Sequence, residues 1–126
     1  MRRLAIIAAV ALATAAPARA EFMSGSKLLQ RIEASERIQR GTALDGDEFD
    51  GAFATGFVIG VFDVYVGQTF CSRRGLTIGQ AVAVAALYLR AIPHRHNEVA
   101  YDLVREAFDR AWPCEQRRQQ APSRSL

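Results

Sequence analysis

Residues 47–70 read DEFDGAFATGFVIGVFDVYVGQTF, and this stretch decides the fold. Its apolar residues occur on every side of a helical projection, which is the pattern of a helix buried on all faces. A strand is the alternative, because valine, isoleucine and aromatic residues favour sheets. The run is too long for one strand and contains no hairpin turn, so the sequence predicts a helix from about Asp47 to Phe70.

Three residues stand out within this predicted helix. Gly56 and Gly60 are four residues apart on one face, and we expect them to let a neighbouring helix approach closely, which offsets the roughly 1 kcal/mol that each glycine costs in a helix interior. A dimerisation motif of a membrane helix is the alternative. Asp63 interrupts the apolar run, and an unpaired carboxylate there would be costly. We therefore expect Asp63 to be buried or half-buried against His96 or an arginine.

Clear start and stop signals follow this segment. Thr77-Ile78-Gly79-Gln80 is a capping box, in which the Thr77 hydroxyl accepts from the backbone N–H of Gln80 while the glutamine amide reaches back. A third helix is predicted to begin there. Pro93 ends it, because the residue before a proline avoids the helical region.

A fourth helix is predicted from about Arg95 to Trp112, where apolar residues form one stripe and charged residues lie opposite. Pro113 stops this helix, and Cys114 follows. The polar residues 115–126 lack apolar periodicity, which predicts a disordered tail.

On the other side of the central segment, residues 24–39 carry spaced leucine and isoleucine residues among charges. They predict a short amphipathic first helix, for which Ser24 or Ser26 provides the N-cap. Residues 41–46 then break it. The expected fold is therefore all-α, a small bundle of about four helices.

The N-terminus has the features of a cleaved signal peptide. Met1, Arg2 and Arg3 give a positive start, residues 4–16 are apolar, and Ala18-Arg19-Ala20 suits a signal peptidase. A membrane anchor is the alternative, but it needs close to 20 apolar residues. We expect cleavage after Ala20 and no membrane attachment of the mature chain.

The net charge changes with that cleavage. The whole chain carries 16 Lys+Arg and 13 Asp+Glu, and residues 1–20 contain three arginines and no acid. The mature chain is therefore neutral, with dispersed basic residues. This balance gives no indication of nucleic-acid binding.

The two cysteines, Cys71 and Cys114, are expected to form a disulfide, because the compartment reached by export is oxidising and the even number leaves no odd thiol. Two unpaired buried cysteines are the alternative. The abundance of arginine and alanine is typical of a GC-rich bacterial genome. Together with the signal peptide, it points to a Gram-negative periplasm.

Catalytic and metal-binding patterns are weak. His94 and His96 lie near Glu98, but a structural zinc site requires four ligands, so we expect no metal and no cofactor. His96 is better placed to bond backbone groups at a helix end, or to reach Asp63. No nucleophile elbow or phosphate loop is present in the sequence, which favours a binding protein over an enzyme.

Several motifs together resemble the Rap/Tai immunity protein family. They are Gly56-Phe57-Val58-Ile59-Gly60-Val61-Phe62-Asp63, Phe70-Cys71, Gly75-Leu76-Thr77-Ile78-Gly79-Gln80, Tyr88-Leu89, Pro93 and Ala111-Trp112-Pro113-Cys114. Their order and spacing are both kept, and the resemblance covers about residues 26–114. Domain boundaries follow as residues 1–20 for the signal peptide, 21–114 for the helical domain and 115–126 for the tail.

The resemblance implies a small all-helical periplasmic protein, often a homodimer, that neutralises a peptidoglycan amidase effector of type VI secretion. Family members often carry two further cysteines, and this chain has Ile32 and Ala54 near those places, which fits the loss of one whole disulfide. The matched residues preserve a fold and carry no inhibitory residue over. A periplasmic chaperone or stress protein, similar to the small helical HdeA type, is the alternative function.

Overall fold

A computed structural model describes residues 22–115, which form four α-helices and no strand. The helices are α1 (Gly25–Gln39), α2 (Asp47–Tyr65), α3 (Ile78–Ala91) and α4 (Ala100–Ala111), and a 3₁₀ turn spans Pro93–Arg95. The expected all-α bundle is thus confirmed. None of these described helices is long and apolar enough to cross a membrane.

Local signals set the helix ends as expected. The Ser24 hydroxyl caps α1 by accepting from the N–H of Lys27. The capping box of α3 is complete, because Thr77 Oγ1 accepts from the N–H of Gln80 at 3.2 Å while Gln80 Oε1 accepts from the N–H of Thr77 at 2.9 Å. Short side chains that bond their own backbone in this way act within three residues, which is why the sequence alone reveals them.

The helix-ending prolines also behave as predicted. Helix α3 ends at Ala91, two residues before Pro93, and α4 ends at Ala111, two residues before Pro113. Gly79 lies exposed in the first turn of α3. Proline at these positions removes a backbone donor and restricts the residue before it, so neither helix can continue.

The predicted start of α4 was wrong. The helix begins at Ala100 instead of about Arg95, because the preceding residues fold against the start of α1. The carbonyl oxygens of His96 and Glu98 accept from the N–H groups of Ser26 and Gly25, at 2.9 and 3.0 Å. Two of the four unpaired donors that begin any α-helix are thereby satisfied in α1.

The predicted extent of α2 was also wrong at its C-terminal end, which is Tyr65 instead of Phe70. Gly67 adopts a φ of 81° and its N–H donates to the carbonyl oxygen of Phe70 at 2.7 Å. A left-handed residue reverses the chain direction at little cost only when it is glycine. This turn brings Phe70 back into the core, where it is fully buried.

The core is formed by one face of each helix. Its largest fully buried side chains are Phe70, Phe108, Leu28, Ile32, Leu89, Leu103, Val58 and Val104. At one end, the rings of Phe62, Phe70, Phe108 and Trp112 form an aromatic cluster. The disulfide Cys71–Cys114 closes this end with a Cα–Cα distance of 4.9 Å, which confirms the predicted pairing.

Helix α2 is not buried on every side, contrary to the prediction. We define the α2 stripe as its exposed apolar face, formed by Phe49, Phe53, Gly56, Gly60 and Val64. Phe49 is 69% exposed and Val64 is 57% exposed. A small bundle contacts only one side of each helix, so apolar composition on all sides does not by itself ensure coverage.

The two glycines of the stripe do not mediate helix packing within the described chain. A Cβ built at Gly56 or Gly60 would meet no other atom within 4 Å. The close helix contact lies instead at Gly51, whose Cβ would lie 3.1 Å from Cα of Ser35 in α1. Our assignment of the close approach to Gly56 and Gly60 was therefore wrong for this chain.

Candidate protein-binding surface

Asp63 is exposed, so the prediction that it is buried against a polar partner was wrong. It borders a small cavity of about 160 Å³ between α2 and the start of α3. The covered face of α2 carries Val58 and Val61. Two residues further on, the helix has turned by about 200°, which places Asp63 on the solvent side.

His96 has the backbone role that the sequence suggested. Its ring Nε2 lies 2.7 Å from the carbonyl oxygen of Leu89 in the last turn of α3, and its ring is half-buried. The expected alternative contact with Asp63 is not made. Among residues 22–115, no group of three or more histidine, cysteine or acidic side chains is placed to hold a metal ion.

Among residues 22–115, the buried carboxylate is that of Asp47, which is 4% exposed. Arg37 donates to it through Nε at 2.8 Å and Nη2 at 2.6 Å, and the N–H of Leu44 donates at 2.8 Å. The hydrogen bonds from Arg37 have the largest effect and the one from Leu44 the next largest, and together they lower the pKa of Asp47 to about 2. The pair fixes the α1–α2 connection.

A second charged cluster joins α3, the 3₁₀ turn and α4. Arg95 bonds Glu98 at 2.7 Å and Glu106 at 2.8 Å, while Tyr88 Oη donates to Glu106 at 2.6 Å. Hydrogen bonds from Arg95 and then Tyr88 lower the pKa of Glu106 to about 2. All four polar groups are satisfied by one another, so this cluster holds the fold together.

The arginines of the described residues fall into two groups. Members of the larger group contact a carboxylate or an aromatic ring, and they are Arg31, Arg37, Arg40, Arg90, Arg95, Arg105 and Arg110. Arg73 and Arg74 make no such contact within residues 22–115, and both are exposed. They are adjacent in the connection between α2 and α3.

Backbone geometry explains why these two side chains project together. The N–H of Leu76 donates to the carbonyl oxygen of Arg73, and Gly75 has a φ of 80°. A four-residue turn with a left-handed residue at its third position is of type II, which requires glycine there. Arg73 and Arg74 therefore occupy the first two positions of a tight turn.

Both ends of this turn are anchored. Cys71, two residues before it, is bonded to Cys114, and its N–H donates to the carbonyl oxygen of Trp112 at 2.9 Å. Thr77 on the other side begins the capping box of α3. The turn is consequently a fixed projection in a connection that otherwise lacks regular structure.

Beside the turn lies an open groove of about 400 Å³ between the turn, α3 and Trp112. Its apolar lining includes Leu76, Val84 and Leu87, and Leu87 is 66% exposed. Arg73 and Arg74 are the charged residues that line it. We call the turn and this groove together the arginine-turn surface.

The sequence reasoning did not single out Arg73 or Arg74. The available signal was the Arg-Arg-Gly segment between a disulfide cysteine and a capping box, because such anchors on both sides fix an exposed turn. Glycines, caps and cysteines were found because they determine the backbone. What distinguishes the two arginines is the absence of carboxylates around them, which depends on tertiary packing.

Comparison with known proteins gives a family match. A family model described as Rap1a immunity proteins matches residues 24–114, which is nearly the whole described domain. No curated protein and no solved structure matches the chain.

Proposed function

Since the chain belongs to the Rap1a immunity protein family, we propose that it is exported to the periplasm, where it binds a peptidoglycan amidase effector of type VI secretion and occludes it. The observation that carries this proposal is the family match across residues 24–114, which includes all four helices. A protein of an immunity family acts on a protein effector by binding, not by catalysis.

Export is supported by two independent features. The positive start, apolar stretch and Ala18-Arg19-Ala20 sequence of residues 1–20 are those of a signal peptide, although this segment lies outside the described residues. The structure contains the Cys71–Cys114 disulfide. Disulfides persist in oxidising compartments and are rare in the bacterial cytosol. Effectors that degrade the cell wall act in that same compartment, so the inhibitor is needed there.

The exported protein should protect a sensitive host, whereas the same chain without residues 1–20 should not. The test co-expresses a periplasm-targeted amidase from the same locus with either form, and culture lysis is followed by optical density. Immunoblots of both forms control for expression level. Equal lysis in the two cultures would contradict the proposal and favour the chaperone alternative. The exposed α2 stripe supports that alternative, because an exposed apolar surface can hold an unfolded client protein.

We further propose that two copies associate through the α2 stripe. An antiparallel pairing about a twofold axis near Gly56 places Phe53 of each copy opposite Gly60 of the other, and Phe49 opposite Val64. Each phenylalanine then faces a smaller residue, the two Gly56 residues meet at the axis, and every pairing is reciprocal, as a twofold interface requires. The open space around Gly56 and Gly60 in the single chain leaves room for this approach.

Gly60→Leu should prevent this association, because the leucine would collide with Phe53 of the second copy while meeting open space in its own chain. Sedimentation velocity over a concentration series should show a dimer for the wild type and a monomer for the variant. Gln30→Leu, which adds the same side chain at an exposed position of α1, serves as the control and should remain dimeric. An unchanged dimer in Gly60→Leu would exclude the α2 stripe as the interface.

A further inference from the structure

We infer that the arginine-turn surface is the face that contacts the effector, and that the segment it receives is acidic with an apolar side chain at its centre. The inference rests on the proposed function and adds the surface and the chemistry of its partner. It follows from three features of the described residues, which are the unpaired charge, the fixed turn and the apolar groove.

The unpaired positive charge of Arg73 and Arg74 indicates that the partner segment is negatively charged. Burying a guanidinium in an interface is costly unless a carboxylate or other acceptor pairs with it. Arg73 and Arg74 have no carboxylate among the described residues to provide that compensation, whereas arginines such as Arg37 and Arg95 do. An acidic segment would supply it, and a basic or apolar one would not.

The charge is also local. The mature chain is neutral overall, so a partner would be attracted by this turn and not by the protein as a whole. Two adjacent like charges at one turn create a concentrated positive potential that orients an acidic partner during association.

The fixed turn reduces the entropic cost of binding. Gly75 holds the type II geometry, while the Cys71–Cys114 disulfide and the Thr77 cap restrain the chain on both sides. A loop that is already ordered loses little conformational freedom when a partner binds it.

The apolar groove supplies the anchor point. Leu87 projects from α3 with two thirds of its surface exposed, beside Val84 and the turn residue Leu76. Apolar side chains at the centre of a patch with charged residues at its rim are the arrangement in which interface energy concentrates. A partner side chain that enters the groove would bring its flanking carboxylates to Arg73 and Arg74.

The chain's own tail does not fit this surface. Residues 115–126 contain Arg117, Arg118 and Arg124 against one acid, Glu115, so their charge has the same sign as the turn. A second copy of the chain remains a distinguishable occupant, because it carries the exposed acids Asp45, just before α2, and Glu48, in the first turn of α2. That alternative is one outcome of the test below.

The test measures binding of the purified amidase effector from the same locus to the mature chain by isothermal titration calorimetry. The double variant Arg73→Glu/Arg74→Glu should bind at least about tenfold more weakly than the wild type, because it sets like charges against the acidic segment. Leu87→Asp should weaken binding to a similar extent. All positions are exposed, so thermal unfolding should show intact folds.

A matched control separates local from overall charge. Lys27→Glu/Arg40→Glu makes the same change in net charge at exposed positions of α1 and its C-cap, and it should alter the dissociation constant by less than about threefold. The wild-type dissociation constant should also rise with salt more steeply than that of the Arg73→Glu/Arg74→Glu variant, because salt screens exposed charge pairs.

The outcomes are distinct. If the wild type binds the amidase and the Arg73→Glu/Arg74→Glu and Leu87→Asp variants bind it equally tightly, this inference is overturned while the proposed function stays intact. Absence of wild-type binding to the amidase would overturn the proposed function and this surface assignment with it. Loss of self-association in Arg73→Glu/Arg74→Glu with unchanged amidase binding would assign the surface to a second copy, which also overturns the inference.

Discussion

Replacing both cysteines, Cys71→Ser with Cys114→Ser, is expected to lower the free energy of unfolding by about 4 kcal/mol. The bridge joins residues 43 apart, and its removal frees a long loop in the unfolded chain, which gains conformational entropy. For a domain of this size, the melting temperature should fall by about 15 °C or more.

Urea unfolding monitored by circular dichroism measures the free-energy difference, and thermal unfolding measures the change in melting temperature. Wild-type protein kept in reducing agent is the matched control, because it loses the same covalent link without changing a side chain, and its stability should fall by a similar amount. A melting temperature within about 2 °C of the oxidised wild type would show that the aromatic cluster around Trp112 holds the two segments together without the disulfide.

Phe108→Ala is expected to lower the free energy of unfolding by about 3–5 kcal/mol, because it leaves a cavity at the centre of the core. Phe108 is fully buried, and its ring centroid lies 5.2 Å from that of Phe70 and 5.3 Å from that of Trp112. No neighbouring helix can fill the space without moving the aromatic cluster.

Phe22→Ala makes the same chemical change at a ring that is 66% exposed, and it should alter stability by no more than about 0.5 kcal/mol. Both variants are compared by urea unfolding at neutral pH. Equal slopes of the free energy of unfolding against urea concentration would confirm that unfolding exposes the same amount of surface in each. If Phe108→Ala were as stable as Phe22→Ala, the packing around Phe108 would have to differ from that described.

Two charged residues show where sequence reasoning about α2 failed. Asp63 was expected to be buried or half-buried and is exposed, while Asp47, at the start of the same helix, is buried. Both are acids near apolar residues, so composition does not separate them. What separates them is the position of Arg37 on α1, which meets only one end of α2.

At the candidate site, too, some features are visible in the sequence and others depend on tertiary packing. Gly75, Cys71, Thr77 and Gln80 form part of motifs that the sequence reveals, and they determine where the turn lies and how rigidly it is held. The position of Arg73 and Arg74 between these anchors is visible in the sequence, but the sequence does not show that they lack the partners that the other described arginines have. Their availability follows from the packing of the bundle, which gives each of the other described arginines a carboxylate or ring.

By itself, the sequence determined the four helices, the caps of α1 and α3, the stops before Pro93 and Pro113, the disulfide and the family. These depend on contacts within three or four residues, on the even number of cysteines, or on the order of motifs along the chain. Only the tertiary structure decided which face of α2 is covered, where Phe70 enters the core, and which charges have partners. Burial and pairing depend on how helices far apart in the chain dock against one another, and apolar periodicity limits that docking without specifying it.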